Sequence, residues 1–207
     1  MKGQIMGQTY EISEMEENIL KAALKVVNEE TISGTRMHLI AEKAKMVQSN
    51  VHYYYKTKDD LMLSLQHYVV NECVRIRTKD RKKVGDTLEE QLHIFFQQKI
   101  QLLTKRKDLD FAEMDFIVQS KNNAKIRGYF DENYQEWREE IREVLRRYCP
   151  ELGESDREMI PYLVISLLEG ATVQALIGRR TFDIDAYMES AEKMVLDHIA
   201  RAAGQNG

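Results

Sequence analysis

Polar and aromatic side chains cluster in one short stretch of the 207-residue chain, VQSNVHYYYKTKDDL, which spans residues 47–61. The amides of Gln48 and Asn50 are able to pair bidentately with adenine, and the hydroxyl of Ser49 suits several bases. The tyrosine hydroxyls that follow reach phosphates, while their rings pack against sugars or thymine methyl groups. Lys58 adds a positive charge near the free backbone amides of a helix start, which favours a phosphate. This order of residues predicts a surface that contacts the bases and the backbone of DNA.

Hydrophobic periodicity predicts two short helices that would position these side chains. Met37, Ile40 and Ala44 share one face of the first helix, and residues 48–54 form the second. A tight turn through residues 45–46 joins them. In a helix-turn-helix the later helix lies in the major groove and presents its N-terminal side chains to base edges. The spacing therefore predicts a helix-turn-helix whose recognition helix begins with the polar run.

Capping residues mark the helices on either side of this motif. Ser13 to Glu16 forms a capping box before a long apolar stripe, and the sequence ETISGT breaks that stripe at Gly34. Thr57 is able to accept hydrogen bonds from the free amides of the next helix, whose first turn places Asp59 and Asp60 at the positive end of the helix dipole. We therefore expect one helix before the motif and a longer one directly after it.

Residues 34–61, GTRMHLIAEKAKMVQSNVHYYYKTKDDL, resemble the N-terminal helix-turn-helix of TetR-family transcriptional regulators. Residues 122–141, NNAKIRGYFDENYQEWREEI, also resemble a common segment of that family. The resemblance implies a homodimeric, ligand-responsive DNA-binding protein, usually a repressor, that acts on a pseudo-palindromic operator. The matching positions of the motif are Gly34-Thr35, Ile40-Ala41, Ala44, the aromatic run 53–55, Lys56-Thr57-Lys58 and Leu61.

The resemblance also implies which residues contact double-stranded DNA. Arg36 and His38 start the second helix of the chain, where the family places phosphate and base contacts. Tyr54 and Lys58 fall on backbone-contact positions, whereas Tyr55 corresponds to a residue that packs inward. The full set of expected DNA contacts is Arg36, His38, Gln48, Ser49, Asn50, His52, Tyr53, Tyr54 and Lys58.

Three residues depart from the family pattern within the motif. Lys45 replaces the turn glycine, so that a long side chain has to tolerate a left-handed backbone at a cost of roughly 1 kcal/mol. Val47 replaces the usual Ser or Thr, which removes a side-chain cap worth about 1 kcal/mol. His52 replaces the usual tyrosine, so that its contact is expected to differ or to depend on pH.

Composition and periodicity predict an all-α chain of about nine helices. Charged residues make up 31% of the sequence and only two prolines occur, which suits long, solvated helices. We expect residues 1–60 to form a helix-turn-helix DNA-binding domain. Residues 61–207 are expected to form a larger regulatory domain for ligand binding and dimerisation.

The last two helices are predicted to form the dimer surface. The penultimate helix, about residues 157–178, opens at a capping box that begins with Ser155 and is apolar on most sides. The last helix, about residues 184–202, carries an apolar stripe opposite a charged face. Pairing these two helices with the same two of a second copy predicts a homodimer with a four-helix interface.

Bulky apolar side chains between these regions are candidates for a ligand pocket. Their types favour a small hydrophobic or aromatic effector. Ordinary core packing is the alternative, since aromatic residues at helical spacing most often fill a core. The candidate pocket residues are Phe96, Met114, Phe130, Tyr134 and Trp137.

Several other function classes lack their sequence signals. The chain has no nucleophile elbow, no phosphate loop and only one Glu-x-x-His pair, Glu90 and His93, so that we expect no enzymatic activity, no cofactor and no metal. A net charge of −4 argues against broad coating of nucleic acid or membrane but leaves room for a local DNA-reading face. The missing signal peptide and membrane span predict a cytoplasmic protein.

The favoured interpretation is a dimeric regulator that an unidentified small-molecule effector releases from its operator. Two alternatives remain open on the sequence alone. One is a DNA-binding regulator without a small-molecule switch, and the other is a helical interaction module that does not bind DNA.

Overall fold

The computed structural model describes residues 2–5, 8–81, 85–178 and 181–204. These residues form an all-α fold, as predicted, preceded by a short antiparallel hairpin that the sequence analysis did not predict. In the hairpin, strand β1 (Lys2–Ile5) pairs with β2 (Gln8–Glu11), with Lys2 opposite Glu11. The nine helices within the described residues are α1 Glu14–Gly34, α2 Met37–Lys43, α3 Gln48–Tyr54, α4 Lys58–Arg81, α5 Leu88–Lys105, α6 Lys107–Ser120, α7 Ala124–Tyr148, α8 Glu154–Ile177 and α9 Ile184–Gly204.

Side-chain caps fix several of the helix starts that the sequence predicted. Ser13 and Glu16 form the predicted capping box at α1. At α4 the hydroxyl of Thr57 accepts from the backbone amide of Asp60 at 3.1 Å. Each cap satisfies a backbone amide that has no partner inside its helix, and such caps are worth about 1 kcal/mol.

The predicted start of α8 is wrong. The helix begins at Glu154 after the extended residue Gly153, without a side-chain cap, so that Ser155 lies inside the first turn. Arg157 instead satisfies the preceding loop, since its guanidinium donates to the carbonyls of Pro150 and Leu152 at 3.1 and 2.6 Å. The helix then continues through Pro161.

The ETISGT stretch interrupts α1 as predicted, since the helix ends at Gly34, but a kink that was not predicted lies three residues earlier, at Thr31. Thr31 has φ 62° and ψ 166°, a region that glycine occupies and other residues enter at a cost of about 1–3 kcal/mol. Its carbonyl accepts from the Thr35 amide at 3.0 Å, and its hydroxyl accepts from the Gly34 amide at 3.4 Å. Thr31 therefore ends one helical segment and caps a second, short one.

The chain forms two compact units. The first contains residues 1–75 and 107–131, in which α1 packs on α2 and α6, and α2 packs on α3. The second contains residues 76–106 and 132–207, where α5, α8 and α9 surround a continuous apolar core. This grouping follows contacts, so that the predicted functional division near residue 60 stays a prediction.

The second unit also contains a buried polar network. Arg77, which is 5% exposed, donates to both carboxylate oxygens of Glu140 at 3.0 and 2.8 Å and to Gln98 at 3.0 Å. Lys99 is similarly buried and donates to Glu169 at 3.2 Å. Because buried charges require partners of this kind, these contacts allow the two cations to lie inside the unit.

Helix α8 is also long and apolar enough to cross a bilayer, judged by length and composition alone. This was not expected from the sequence, where no apolar run reached that length. Core helices of globular proteins meet the same criterion. Here α8 packs against α5 and α9 and contributes Val164 and Leu168 to the apolar core.

Candidate nucleic-acid interface

Helices α2 and α3 form the helix-turn-helix with the predicted boundaries. Lys45 has φ 58°, which confirms the left-handed turn expected where the family has glycine. Val47 is the extended N-cap residue of α3 and makes no side-chain cap, as predicted. The amide of Met46 donates to the carbonyl of Ala41 at 2.9 Å and helps to close the turn between the helices.

Buried apolar side chains and one side-chain amide fix the helix-turn-helix within the first unit. Val51 is fully buried and Tyr55 is 7% exposed, which agrees with the inward packing expected for Tyr55. Asn18 of α1 donates from Nδ2 to the carbonyl of Ala44 at 3.1 Å. This contact was missed from the sequence, because nothing local links Asn18 to a turn 26 residues later.

The opposite side of α3 presents the predicted base-reading residues. Gln48, Ser49 and Asn50 are exposed at its N-terminus, and Tyr53 is 74% exposed. Nε2 of Gln48 lies 3.2 Å from Nε2 of His52, one turn later in α3, so that His52 helps to orient the Gln48 side chain. Donors and acceptors at the start of an exposed helix of this kind are suited to base edges in a major groove.

Aromatic and basic side chains flank this polar group. The rings of Tyr53 and Tyr54 meet edge to face, with centroids 5.2 Å apart. The ammonium group of Lys56 lies 6.0 Å from the Tyr53 ring centroid. His38 is exposed near the start of α2. These groups could reach backbone phosphates on either side of a base contact.

Arg36 and Lys58 meet at the C-terminal end of α1. The Nη1 of Arg36 donates to the carbonyls of Ser33, Gly34 and Thr35 at 2.8, 3.1 and 3.0 Å. Nζ of Lys58 lies 3.4 Å from the same Ser33 carbonyl. Partial burial, and then the nearby charge of Arg36, lower the pKa of Lys58. An anion placed between these cations would offset both effects.

The capping role of Arg36 was not predicted from the sequence. Its guanidinium satisfies carbonyls that the second segment of α1 leaves without helical partners. That segment exists because of the kink at Thr31, which the sequence analysis did not predict within the ETISGT stretch. Arg36 therefore holds the backbone between α1 and α2 and is also exposed toward solvent.

A second surface lies on α8 and α9 and is apolar. Seven of the eleven large apolar side chains that are exposed among the described residues belong to these two helices. Two of the seven, Leu163 and Met194, line a groove of about 390 Å³ between the helices. His198 lines this groove, with Nε2 3.8 Å from a carboxylate oxygen of Asp156. The groove residues are Ile160, Leu163, Ser166, Leu167, Met194, Val195, His198 and Arg201.

The predicted ligand-pocket residues are divided between the two units. Met114 and Phe130 lie in the first unit, and Phe130 is buried there. Phe96 lies fully buried in the apolar core of the second unit, with Tyr134 and Trp137 packed against that core. The rings of Tyr134 and Trp137 are 5.8 Å apart and nearly perpendicular. Their role in ligand binding stays a prediction.

The Glu90 and His93 pair engages other partners. The Glu90 carboxylate accepts from the Thr87 hydroxyl at 2.9 Å as part of the α5 cap. Nδ1 of His93 lies 2.9 Å from the carboxylate of Glu192 in α9. No group of three metal-binding side chains comes together within the part of the chain that the structure describes.

Two parts of the chain match known families. Residues 19–65 match the bacterial regulatory proteins of the tetR family, and residues 90–204 match the C-terminal part of BetI-type transcriptional repressors. Over 191 residues the chain is 24% identical to an uncharacterized HTH-type transcriptional regulator in the dhlA 5' region of Xanthobacter autotrophicus. This alignment covers 88% of the chain and 89% of that protein.

Solved structures share the fold. One is a transcriptional regulator from Saccharomonospora viridis in complex with choline, at 20% identity and a TM-score of 0.78, covering 89% of this chain and 96% of that one. Another is the regulator FadR from Bacillus subtilis in complex with stearoyl-CoA, at 16% identity and a TM-score of 0.74, covering 86% and 96%. The chain therefore belongs to the tetR family of bacterial transcriptional regulators: it is a helix-turn-helix transcriptional repressor, and it is not an enzyme.

Proposed function

We propose that this protein is a dimeric repressor that binds a pseudo-palindromic operator and is released by a small-molecule effector. The observation that carries the proposal is the exposed start of α3, where Gln48, Ser49 and Asn50 stand free of the core. The convergence of Arg36 and Lys58 on Ser33 supports a phosphate contact beside that helix. Such a regulator acts in the cytoplasm, where the operator DNA is found.

The DNA contacts divide into two kinds. Gln48 and Asn50 read base edges, and a good bidentate pair is worth about 1–3 kcal/mol of discrimination against the wrong base. Phosphate contacts set the register of α3 without reading sequence, and each contributes to the salt dependence of binding. Ser49 is proposed to read base edges together with Gln48 and Asn50. The proposed phosphate and flanking contacts are Arg36, His38, His52, Tyr53, Tyr54 and Lys58.

Dimerisation is proposed to use α8 and α9. Their exposed apolar side chains include Leu163 and Met194 on opposite walls of the groove. A second copy that packs the same two helices against them would remove this surface from water. Because each protomer would then hold one α3, two-fold symmetry of the dimer requires two half-sites of opposite orientation in the operator.

The effector is proposed to be a small molecule with hydrophobic or aromatic character. Choline and stearoyl-CoA occupy the two structural relatives, and both carry an apolar part together with a charged group. In this chain, Nε1 of Trp137 is buried without a hydrogen-bond partner among the described residues. The Arg77 guanidinium carbon lies 5.8 Å from the Trp137 ring centroid. An effector that accepts a hydrogen bond from Trp137 fits this arrangement.

Release from DNA is proposed to involve α4. This helix begins at the phosphate-facing Lys58, and its last residues, from Ile76 onward, belong to the second unit. An effector that binds the DNA-free conformation more tightly lowers operator affinity by its coupling free energy, typically about 1–3 kcal/mol. A regulator without a small-molecule switch would bind its operator with unchanged affinity in every effector screen.

Selection of binding sites from a randomised duplex pool tests this function. The bound fraction is sequenced after selection at two salt concentrations. We expect a palindrome whose half-sites lie about one helical turn apart. Weak binding that falls steeply with salt and selects no sequence would instead favour a helical module that does not read DNA.

A further inference from the structure

Helix α6 holds the broken end of α1 through Asp115. The backbone amide of Ile32 donates to Oδ2 of Asp115 at 2.5 Å. Ile32 directly follows Thr31, so that its amide belongs to the first turn of the short segment that Thr31 caps. Amides in a first turn have no acceptor within their own helix. The carboxylate from α6 supplies that acceptor at the one described residue of α1 with non-helical φ and ψ.

The same carboxylate is connected to the DNA-facing cations through one side chain and one backbone carbonyl. Nε2 of Gln119 lies 3.5 Å from Oδ1 of Asp115 and donates to the hydroxyl of Ser33 at 3.2 Å. The carbonyl of Ser33 accepts from both Arg36 and Lys58. The chain of contacts from α6 to the two cations therefore passes through two consecutive residues, Ile32 and Ser33.

We propose that Asp115 is a positioning residue for DNA binding, because its carboxylate fixes the Thr31 break and thereby the Ser33 carbonyl on which Arg36 and Lys58 converge. This inference rests on the proposed operator binding. Asp115 itself touches neither bases nor phosphates in this scheme. It acts through the backbone of α1.

The geometry explains why a carboxylate suits this position. Thr31 is not a glycine, so its φ of 62° is strained, and its backbone would relax unless the surrounding structure fixed it. A charged acceptor makes a stronger hydrogen bond to an amide than a neutral one. A second contact helps to fix the same register of α6 on α1. Nδ2 of Asn28 donates at 2.9 Å to the carbonyl of Asp108, which lies about two helical turns before Asp115 in α6.

The contact also gives α6 an influence on operator affinity. If α6 moves away from α1, the Ile32 amide loses its acceptor and Thr31 is free to leave the strained conformation. The Ser33 carbonyl then shifts, and Arg36 and Lys58 lose their common acceptor. Operator affinity would fall although no residue of α3 had changed.

Two substitutions at Asp115 separate the hydrogen bond from the charge. Asp115→Ala removes the acceptor, and Asp115→Asn keeps a carbonyl oxygen of the same reach but removes the charge. On the selected operator, we expect Asp115→Ala to weaken binding about tenfold, or about 1.4 kcal/mol. Its slope of log affinity against log salt should also become shallower by about one phosphate contact. Asp115→Asn should bind within a few-fold of the unsubstituted protein.

The matched control is Asp131→Ala, which removes an exposed carboxylate of α7 in the same unit. We expect its operator affinity to be unchanged. If both Asp115 variants tighten binding equally, the carboxylate acts only by repelling phosphates, and the proposal is wrong. Operator affinity and salt slope that are unchanged in Asp115→Ala would also overturn it.

Rescue by glycine at the strained residue distinguishes positioning from a loss of folding. Glycine adopts positive φ without strain, so Thr31→Gly in the Asp115→Ala background should restore much of the operator affinity. A double variant that binds as weakly as Asp115→Ala would contradict the proposal.

Amide hydrogen exchange at Ile32 tests the contact without DNA. We expect exchange to be faster in Asp115→Ala and close to normal in Asp115→Asn. If the unsubstituted protein selects no operator but Ile32 responds in this way, the proposed function fails while the contact stands. Identical Ile32 exchange in all variants would show that Asp115 does not hold this amide, which overturns the inference directly.

Discussion

At the residue scale, the turn of the helix-turn-helix shows how far single positions could be predicted. The left-handed backbone of Lys45 and the missing side-chain cap at Val47 could both be predicted from local rules. Lys45 stands where the turn needs a residue with positive φ, and Val47 stands at an N-cap position but has no side-chain oxygen. The contacts of Arg36 and Asn18 did not follow from such rules. Both side chains bind backbone carbonyls whose positions depend on the Thr31 break or on packing between distant segments.

Replacing Lys45 with glycine should stabilise the protein. Glycine accepts φ 58° without strain, so we expect Lys45→Gly to raise the free energy of unfolding by up to about 1 kcal/mol. Urea denaturation measures the change. The matched control is Glu42→Gly in the right-handed α2, which should lower stability by about 0.5–1 kcal/mol. Equal destabilisation by both substitutions would contradict the strain at Lys45.

Lys58 should contribute to affinity without reading sequence. We expect Lys58→Ala to weaken binding to the operator and to unrelated duplexes by similar factors. The slope of log affinity against log salt should fall in magnitude by about 0.9, the value for one phosphate contact. Titrations at several salt concentrations measure both quantities. Lys193→Ala, which removes an exposed lysine of α9, should leave the slope unchanged. A slope unaffected by Lys58→Ala would remove Lys58 from the interface.

At the element scale, hydrophobic periodicity predicted helices well because each helix buries one face. The limits appear where a local pattern competes with a tertiary contact. The Ser155 pattern suggested a cap, but α8 starts at Glu154 without a side-chain cap, and Arg157 satisfies the carbonyls of the loop before it. The ETISGT stretch indicated the end of α1 but not the positive φ of Thr31, which lies beside a contact between the Ile32 amide and Asp115, 83 residues later.

The apolar face of α8 and α9 should control assembly. Leu163→Glu places a charge in the groove, and burying it against a second copy would cost several kcal/mol. We therefore expect a monomer in sedimentation experiments and a large loss of operator affinity. Val118→Glu changes a more exposed apolar residue, which lies on α6, and that variant should remain a dimer. A dimeric Leu163→Glu variant would exclude this face as the interface.

At the scale of the whole molecule, the order of a helix-turn-helix followed by a larger helical part could be predicted because the motif is local and its spacing is specific. The packing of α6 against α1 in the first unit could not be predicted, because it joins segments about 80 residues apart in the sequence. The effector pocket is the least predictable feature. Aromatic residues at helical spacing fill cores and pockets alike, and Phe96 lies in the core.

The single tryptophan allows effector binding to be observed directly. Trp137 is the only tryptophan in the chain and lies beside the buried Arg77. We expect an effector from a panel of small apolar and aromatic compounds to change its fluorescence and to weaken operator binding at matching concentrations. Trp137→Phe should reduce effector affinity but leave operator affinity intact. Compounds that release DNA without any change in Trp137 fluorescence would place the pocket elsewhere.

The central claim is that α3 reads DNA sequence, and Asn50 tests it most directly. Fluorescence anisotropy would measure binding of the unsubstituted protein and Asn50→Ala to the selected operator and to a scrambled duplex at one salt concentration. We predict that Asn50→Ala weakens operator binding by about 1–3 kcal/mol per half-site, roughly 5- to 150-fold, and leaves binding to the scrambled duplex unchanged. Equal affinity of both proteins for the operator would contradict base reading by Asn50.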